Sequence, residues 1–279
     1  MMQHQIPSKR RDASSKFQLP RTLVRPSFTE VPREALLAAA PNLGNVSLEF
    51  IRKNLLATAP QMLAGTAALS GFSPSHLPSS LSKSTLPPYI SVPIYPLRSL
   101  ANPSYPTHVL AISDTSFSGS EELHLIFPVH ALILAAHCSK LPPLPPAAPH
   151  SSGNVHLPVL PLALPSAPAF SLIHSFLYTK SLSSVLTALF PVPPQFITAL
   201  SQKTVRAALQ SGADLHHLSA HLCNSCKGSV QILMTHTAHV KELWQDMVAL
   251  GIDDAALWDT VELAYEIVLG ALNLAVMAK

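Results

Sequence analysis

Two cysteines and two histidines near the end of the chain are residue types that bind zinc. Cys223 and Cys226 are separated by two residues, as are His236 and His239, and nine residues lie between the pairs. A two-Cys, two-His zinc finger needs about twelve residues between the pairs and about three to five between its histidines. On one continuous helix the pairs would lie about 15–20 Å apart, so a zinc-dependent binding site requires a break at Gly228. The favoured alternative is a histidine-rich helix surface with small buried cysteines.

Three adjacent reactive side chains, in the run His137-Cys138-Ser139, raise the question of nucleophilic catalysis. Successive helical positions point in different directions, so these residues cannot form a nucleophile–base pair. His130 precedes an apolar helix, where a histidine is expected to be a structural hydrogen-bonding group. The sequence contains no Gly-rich phosphate loop, no Gly-x-Ser-x-Gly motif and no His-Glu-x-x-His motif. We therefore predict that the protein is not an enzyme and has no cofactor or resident metal.

The elements around these residues can be predicted from prolines and apolar spacing. Residues 127–130 (Phe-Pro-Val-His) precede the wholly apolar run 131–136, which predicts a helix that begins near His130 and lies in the core. A proline-rich loop and a strand at 155–162 follow. Ser166 is then a suitable N-cap for an amphipathic helix, because Pro168 falls in its first turn. The order is strand, buried helix, loop, strand, amphipathic helix.

This central block resembles the BTB/POZ domain over about residues 107–200. Phe127 and His130 match the Phe-x-x-His of that family, and Phe170 and Tyr178 match its later helix, which closes here in Leu-Tyr-Thr. The resemblance implies an α+β fold with a BTB/POZ-like core, a small sheet covered by helices, and additional flanking helices. It also implies protein–protein interaction, with homodimers and ubiquitin-ligase substrate adaptors that bind a cullin among the family's uses.

The whole chain is also similar to the clampless-type sexual-development proteins of basidiomycete fungi. That resemblance implies a regulator of clamp-cell formation and of the dikaryotic cell cycle, with transcription regulators as partners. The biology comes from the resemblance alone, because composition and spacing carry no such information. Together the two resemblances predict a non-catalytic adaptor that works by binding other proteins.

Composition and charge predict five segments along the chain. These are a disordered basic tail at 1–33, a helical segment at 34–69, a proline- and serine-rich linker or wrapping segment at 70–106, the BTB/POZ-like domain at 107–200 and a helical region at 201–279. The tail has a charge of +5 and the remaining 246 residues have −2. A mildly acidic folded part disfavours a large nucleic-acid groove, so no direct nucleic-acid partner is expected.

The cysteine content and the lack of long apolar runs predict the compartment. Three cysteines cannot form a disulfide framework, and the sequence has no recognisable signal peptide. No window reaches about 18 consecutive apolar residues, so no membrane span is expected. We predict an intracellular protein, and the basic run Lys9-Arg10-Arg11 favours the nucleus slightly over the cytoplasm.

Two apolar stripes dominate the last forty residues. Each recurs at helical spacing on one side of a predicted helix, and each contains a tryptophan. The stripes either pack against each other or present a surface to a partner in helix-in-groove recognition. The candidate interaction residues are Val240, Leu243, Trp244 and Met247 in the first stripe and Leu257, Trp258, Val261 and Tyr265 in the second.

Overall fold

The structure is a computed structural model that describes residues 20–69, 76–94, 103–115, 123–147 and 153–278. Within these ranges it is a mixed α+β protein, which confirms the α+β part of the predicted fold class. The helices are α1 (Arg33–Ala39), α2 (Leu48–Leu69), α3 (Ala131–His137), α4 (Ala167–Thr179), α5 (Leu182–Leu189), α6 (Pro194–Thr198), α7 (Gln202–Gln210), α8 (Gly212–Ser225), α9 (Val230–Leu250) and α10 (Ala255–Met277). The strands are β1 (Ser80–Ser82), β2 (Tyr89–Pro93), β3 (His108–Asp114), β4 (Leu123–Val129) and β5 (Asn154–Leu164).

The five strands form one sheet in the order β1-β4-β3-β5-β2. Strands β3 and β5 are parallel and the other neighbours are antiparallel. Because β1 and β2 are consecutive in the chain yet occupy opposite edges, the sheet must curl to bring its edges towards each other. Both edge strands lie in the predicted segment 70–106, which is therefore not simply a linker: it supplies two strands of the sheet.

Strand β3 is buried on both faces and divides the core in two. Alternate side chains of a strand point to opposite faces, so Leu110 and Ile112 contact the helices, whereas Val109 and Ala111 face the inside of the curl. All four are fully buried. The larger cluster continues through α3 and α4 into the C-terminal helices, so the sheet and the helical region share one core.

The amphipathic helix α4 begins as the sequence predicts. The hydroxyl of Ser166 accepts a hydrogen bond from the amide of Ala169 (3.4 Å), and Pro168 lies in the first turn. The helix ends at Lys180, which adopts a left-handed conformation with φ of 51°. The apolar stripe of α4, which includes Phe170 and Ile173, is fully buried between the sheet and α9.

Helix α10 is the central element of the C-terminal region. By length and composition it is apolar enough to cross a membrane, a feature that the search for an unbroken apolar run missed. In the structure it packs against α5, α7, α8 and α9, and Leu263, Ile267 and Val268 on it are buried. Gly270 allows close approach of α8, since a Cβ there would lie 2.9 Å from the Cβ of Ser219.

The last part of the predicted basic tail is packed against the helices. Residues 20–32, which we call the N-terminal strap, have no regular secondary structure but lie along α10. Val31 in the strap is buried and Leu23 packs on the main core. Residues 20–33 of the segment predicted as a disordered tail therefore lie on the folded part of the protein, and residues 1–19 lie outside the described part of the chain.

Candidate functional site at the junction of the two halves

The four residues that carry the BTB/POZ resemblance meet in one contact network. The ring of Phe127 packs edge-on against Phe170, with ring centres 4.9 Å apart. The backbone N–H of His130 donates to the hydroxyl of Tyr178 (3.1 Å), and Nδ1 of the same histidine lies 2.9 Å from that oxygen. The ring of His174 fills the space between Phe170 and Tyr178. The separated sequence motifs thus become a single buried cluster.

The geometry fits the predicted structural role of His130. Its Nε2 lies 3.1 Å from the carbonyl oxygen of Ser104, so both ring nitrogens have partners inside the protein. Burial lowers the pKa of His130 to about 4, which keeps the imidazole neutral at physiological pH. A neutral histidine whose two ring nitrogens are both hydrogen-bonded positions the start of α3. It has no free nitrogen for proton transfer.

Replacing Tyr178 by Phe should destabilise the protein by about 1–3 kcal/mol, because the amide of His130 is left buried without an acceptor. The measurement is the urea unfolding midpoint of the variant and the wild type. Tyr89→Phe is the matched control, since the Tyr89 side chain is 65% exposed and its substitution should leave the midpoint unchanged. Equal midpoints for all three proteins would contradict the assigned role of Tyr178.

A short antiparallel contact joins the end of α3 to the turn between α9 and α10. Cys138 pairs with Ile252 in an isolated bridge. The amides of Ser139 and Lys140 donate to the carbonyl oxygens of Gly251 and Leu250, both at 3.0 Å. In the opposite direction the amide of Asp253 donates to the carbonyl oxygen of His137 (3.0 Å). We call residues 137–140 and 250–253 the junction.

Two ion pairs lie on either side of the junction. Arg52 of α2 donates to the carboxylate of Asp253 (2.7 Å) and to the carbonyl oxygen of Ala136 (2.8 Å). Lys180, which follows α4, contacts the carboxylate of Asp254 (3.0 Å). All four charged side chains are at most one-quarter exposed, so loss of one partner would leave a poorly solvated charge. These pairs connect α2 and α4 to the turn before α10.

The reactive side chains at the junction are held in unreactive protonation states. Burial, reinforced by the positive charges of Lys180 and Arg52, lowers the pKa of His137 to about 2, so the ring stays neutral. Burial raises the pKa of Cys138 to about 12, which disfavours the nucleophilic thiolate. Burial also lowers the pKa of Lys180, and its partner Asp254 opposes that shift.

The sequence contains only a partial signal for the junction. Asp254 is the N-cap of α10 and accepts from the amides of Ala256 (3.1 Å) and Leu257 (3.2 Å). Asp253 instead binds Arg52, which lies 201 positions away in the chain. Two consecutive aspartates before a helix show that one carboxylate is available for another partner, although they do not show which.

Near the junction, a buried carboxylate of α9 lies beside the start of α4 and has a raised pKa. Asp246 of α9 accepts from the amide of Ser166 (2.9 Å) through one oxygen, and its other oxygen has no hydrogen-bond partner among the described residues. Burial raises the pKa of Asp246 to about 7, the Ser166 amide opposes this, and the charges of Asp114 and Glu242 add to it. An acid with a raised pKa binds its proton more tightly in the folded state.

The contribution of Asp246 to stability should therefore fall as the pH rises from about 4 to about 7, whereas the buried His130 and His137, whose pKa values are lowered, contribute stability that rises with pH. The contribution of Asp246 is complete below its unfolded pKa of about 3.8 and is lost as the pH passes the folded pKa of about 7. Asp246→Asn should remove this falling contribution, so its unfolding free energy should rise more between pH 4 and pH 7 than that of the wild type. The exposed Asp214→Asn is the matched control and should leave the slope as in the wild type. An unchanged slope in Asp246→Asn would contradict the shifted pKa.

A mainly apolar cavity of about 340 Å³ lies between α1, the start of α3 and residues 141–147. His108 lines it, with ring nitrogens 2.9 Å from the hydroxyl of Thr107 and 2.6 Å from the carbonyl oxygen of Pro145. Burial lowers the pKa of His108, and the hydrogen bond to the carbonyl oxygen of Pro145 opposes that shift. The size is within the range of small-molecule sites. Sequence reasoning missed this cavity because its walls come from three separate segments.

The four zinc candidates do not form a metal site in the structure. Residues 227 and 228 break the helix as a zinc site requires, because Lys227 and Gly228 have φ of 52° and 66°. Among the described residues, however, no group of three or more His, Cys, Asp or Glu side chains is arranged to hold a metal. His236 Nδ1 lies 2.8 Å from the carbonyl oxygen of Leu189, and its ring packs edge-on against Phe190.

The two predicted interaction stripes lie in the core. Seven of the eight candidates are at most 5% exposed: Val240, Leu243, Met247, Leu257, Trp258, Val261 and Tyr265. The eighth, Trp244, is half-buried, and its indole nitrogen has no hydrogen-bond partner among the described residues. The alternative that the stripes pack within the protein therefore describes the fold, and Trp258 and Tyr265 are covered in part by the N-terminal strap.

The fold is a mixed α+β protein, and the junction connects the region that precedes α4 to the region that follows it. The family model of the Clampless protein 1 N-terminal domain matches residues 26–165, and that of the Clampless protein 1 C-terminal domain matches residues 183–279. The chain belongs to this family. No curated protein and no solved structure matches it. Family membership points to a role in fungal clamp formation and sexual development.

The two matched domains meet at the junction. Arg52, Cys138 and Ser139 belong to the N-terminal domain, and their partners from Gly251 to Asp253 belong to the C-terminal domain. Helix α4 lies in the interval between the two matches. The predicted BTB/POZ-like region at 107–200 therefore includes the end of the N-terminal domain, the helix that connects the domains and the start of the C-terminal domain.

Proposed function

We propose that the protein is a non-catalytic adaptor that regulates clamp-cell formation and the dikaryotic cell cycle by binding transcription regulators. The observation that carries this proposal is that the reactive side chains of the protein make their contacts inside the fold. His130, His137 and Cys138 are buried, bonded within the fold and held in unreactive protonation states. A regulator with these properties would act through its surfaces. It would be intracellular, with the nucleus favoured slightly over the cytoplasm.

A BTB/POZ-like organisation of the central region is part of this proposal. Its support is the contact network of Phe127, His130, Phe170 and Tyr178, which joins two separated motifs. The corresponding family functions are homodimerisation and adaptor activity in a cullin-based ubiquitin ligase. Homodimerisation predicts a doubled mass in light scattering at micromolar concentration, and a monomeric mass would remove it. Absence of a cullin among crosslinked partners would count against the ligase alternative.

The exposed side of α2 is the surface that we assign to partner binding in this adaptor. Leu56 and Leu63 are 48% and 37% exposed and lie two turns apart on one side of the helix. Exposed apolar side chains at this spacing fit recognition by a helix groove or another apolar surface. This surface of α2 replaces the predicted stripes on α9 and α10 as the partner-binding surface, because those stripes are buried.

The test is a crosslinking pull-down from sexually developing fungal cells that compares the intact protein with Leu56→Asp/Leu63→Asp. A transcription regulator should be recovered with the intact protein and lost with the double variant. Gln61→Asp is the matched control, because it adds a charge at an exposed position of the same helix. Circular dichroism checks that all proteins are folded. Recovery of no regulator by the intact protein would contradict the proposed function, and equal recovery by all three would remove α2 as the surface.

A further inference from the structure

The N-terminal strap is held on α10 by side chains rather than by a backbone ladder. The hydroxyl of Tyr265 donates to the carbonyl oxygen of Pro20 (2.5 Å). The guanidinium of Arg25 lies 5.8 Å from the ring centre of Trp258 and 3.7 Å from the carboxylate of Asp259. Among the described residues no backbone–backbone hydrogen bond joins residues 20–31 to the remainder of the protein. The strap is an extended segment bound through arginine, proline and aromatic contacts.

The surface beneath the strap has complementary charge. Asp259, Glu262 and Glu266 follow each other at spacings of three and four residues, which places them on one side of α10. Arg25 of the strap lies 3.7 Å from one carboxylate oxygen of Asp259, whose other oxygen accepts from Arg206 (2.7 Å) and Gln202 (3.1 Å). The charge of Arg21 opposes the burial that raises the pKa of Glu266. Together with Trp258 and Tyr265, the row forms a surface that we call the α10 groove.

The strap has the properties of a replaceable occupant. Its side chains Val24 and Phe28 are 72% and 66% exposed, so much of its apolar surface stays in contact with solvent. Prolines at positions 20, 26 and 32 favour an extended backbone, which limits the entropy lost when the segment binds. A segment with few buried contacts and no ladder hydrogen bonds opens more readily than the core.

We propose that the α10 groove is a docking surface for a basic, proline-containing extended segment of a partner protein, and that the strap occupies it in the free protein. The chemistry of the strap defines the partner: an arginine that stacks on Trp258 and pairs with Asp259, on a backbone that prolines keep extended. The covalent link gives the strap a high effective concentration at the groove, so a partner must compete with it. This inference rests on the proposed adaptor function and names its partner chemistry.

The test is binding of a fluorescein-labelled peptide with the sequence of residues 20–32 to the full chain, followed by fluorescence anisotropy. Arg21→Glu/Arg25→Glu in the full chain should repel the strap from the acidic row and free the groove. We expect the peptide to bind this variant at least about tenfold more tightly than the wild type, where the strap competes. A peptide in which both arginines are glutamate should not bind either protein.

Lys53→Glu/Lys241→Glu is the matched control, because it makes the same change in net charge at exposed positions outside the groove. It should bind the peptide as weakly as the wild type. Equal affinity for wild type and strap variant, or no binding to the folded strap variant, would overturn the proposal. A doubled mass for the wild type that the strap variant loses would also overturn it, because the occupant would then be the strap of a second copy.

A second strap variant and the pull-down of transcription regulators complete the peptide-binding test. If the double glutamate variant does not fold, Arg25→Ala supplies the same comparison with a smaller gain in affinity, because it removes the contacts with Trp258 and Asp259. The pull-down of transcription regulators separates this proposal from the adaptor function. Recovery of a regulator without any binding of the strap peptide would leave the adaptor standing and remove the α10 groove.

Discussion

Leu243→Asp is expected to unfold the protein rather than to weaken one partner contact. Leu243 is fully buried in the core shared by α4, α9 and α10. A carboxylate there loses its hydration without gaining a partner, and it also leaves the volume of the leucine unfilled. We expect a loss of more than about 4 kcal/mol, which exceeds the effect of most single substitutions and is a large share of the stability of a typical domain.

The measurement is a thermal melt followed by circular dichroism, with Lys241→Asp as the matched control. Lys241 lies on the same helix two positions earlier and is exposed, so its substitution should change stability by less than about 0.5 kcal/mol. The milder Leu243→Ala should cost about 2–5 kcal/mol. A folded Leu243→Asp protein with an unchanged melting temperature would contradict the burial of the α9 stripe and restore it as a candidate surface.

Gly251→Ala should give the second-largest loss, about 2–5 kcal/mol, because two separate costs add at this position. The residue has φ of 63°, and a left-handed conformation costs an alanine about 1–2 kcal/mol. A Cβ would also collide with the hydroxyl of Ser139 and lie 2.8 Å from Cγ of Lys140. Relief of that overlap pushes the two sides of the junction apart, which costs about 1–3 kcal/mol more.

Gly228→Ala separates the two costs. Gly228 has nearly the same φ, 66°, but nothing lies within 4 Å of a Cβ placed there, so its substitution should cost only the conformational part. Urea unfolding of both variants gives the difference. Adding Ser139→Ala to Gly251→Ala should recover part of the loss, measured as a coupling in a double-mutant cycle. Equal destabilisation by Gly251→Ala and Gly228→Ala would contradict the tight packing of the junction.

The central elements could be predicted because local signals there agree with the tertiary structure. Proline placement and an unbroken apolar run identified α3, and Ser166 with Pro168 identified the start of α4. The predicted strand at 155–162 corresponds to β5. In these places the periodicity of burial, the caps and the chain breaks all favour the same element.

Other elements depend on contacts that local patterns do not contain. Proline content predicts a linker at 70–106, yet β1 and β2 form there because β4 and β5 offer them hydrogen-bonding edges. Pro60 lies inside α2, and the helix continues through it although an internal proline usually breaks or kinks a helix. The basic tail is predicted to be disordered because its composition is polar, and residues 20–32 are held instead by aromatic and acidic side chains of α10.

The site residues also divide into those that the sequence could identify and those that depend on contacts between distant parts of the chain. The resemblance identified Phe127, His130, Phe170 and Tyr178, and the structure brings them together. Spacing alone identified the stripes of α9 and α10 but could not distinguish a core from a surface, because both need the same period. Neither source could identify the pair Arg52–Asp253, since a charge pair 201 positions apart in the chain leaves no local pattern.

The most direct test of the joined arrangement of the two family domains is native-state hydrogen exchange at the junction. The amides of Ser139, Lys140 and Asp253 donate across the junction and should exchange only with global unfolding, at the same free energy as core amides of β3 and α10. Faster exchange at these three amides than in both cores, or different unfolding free energies for the two cores, would contradict a single cooperative body.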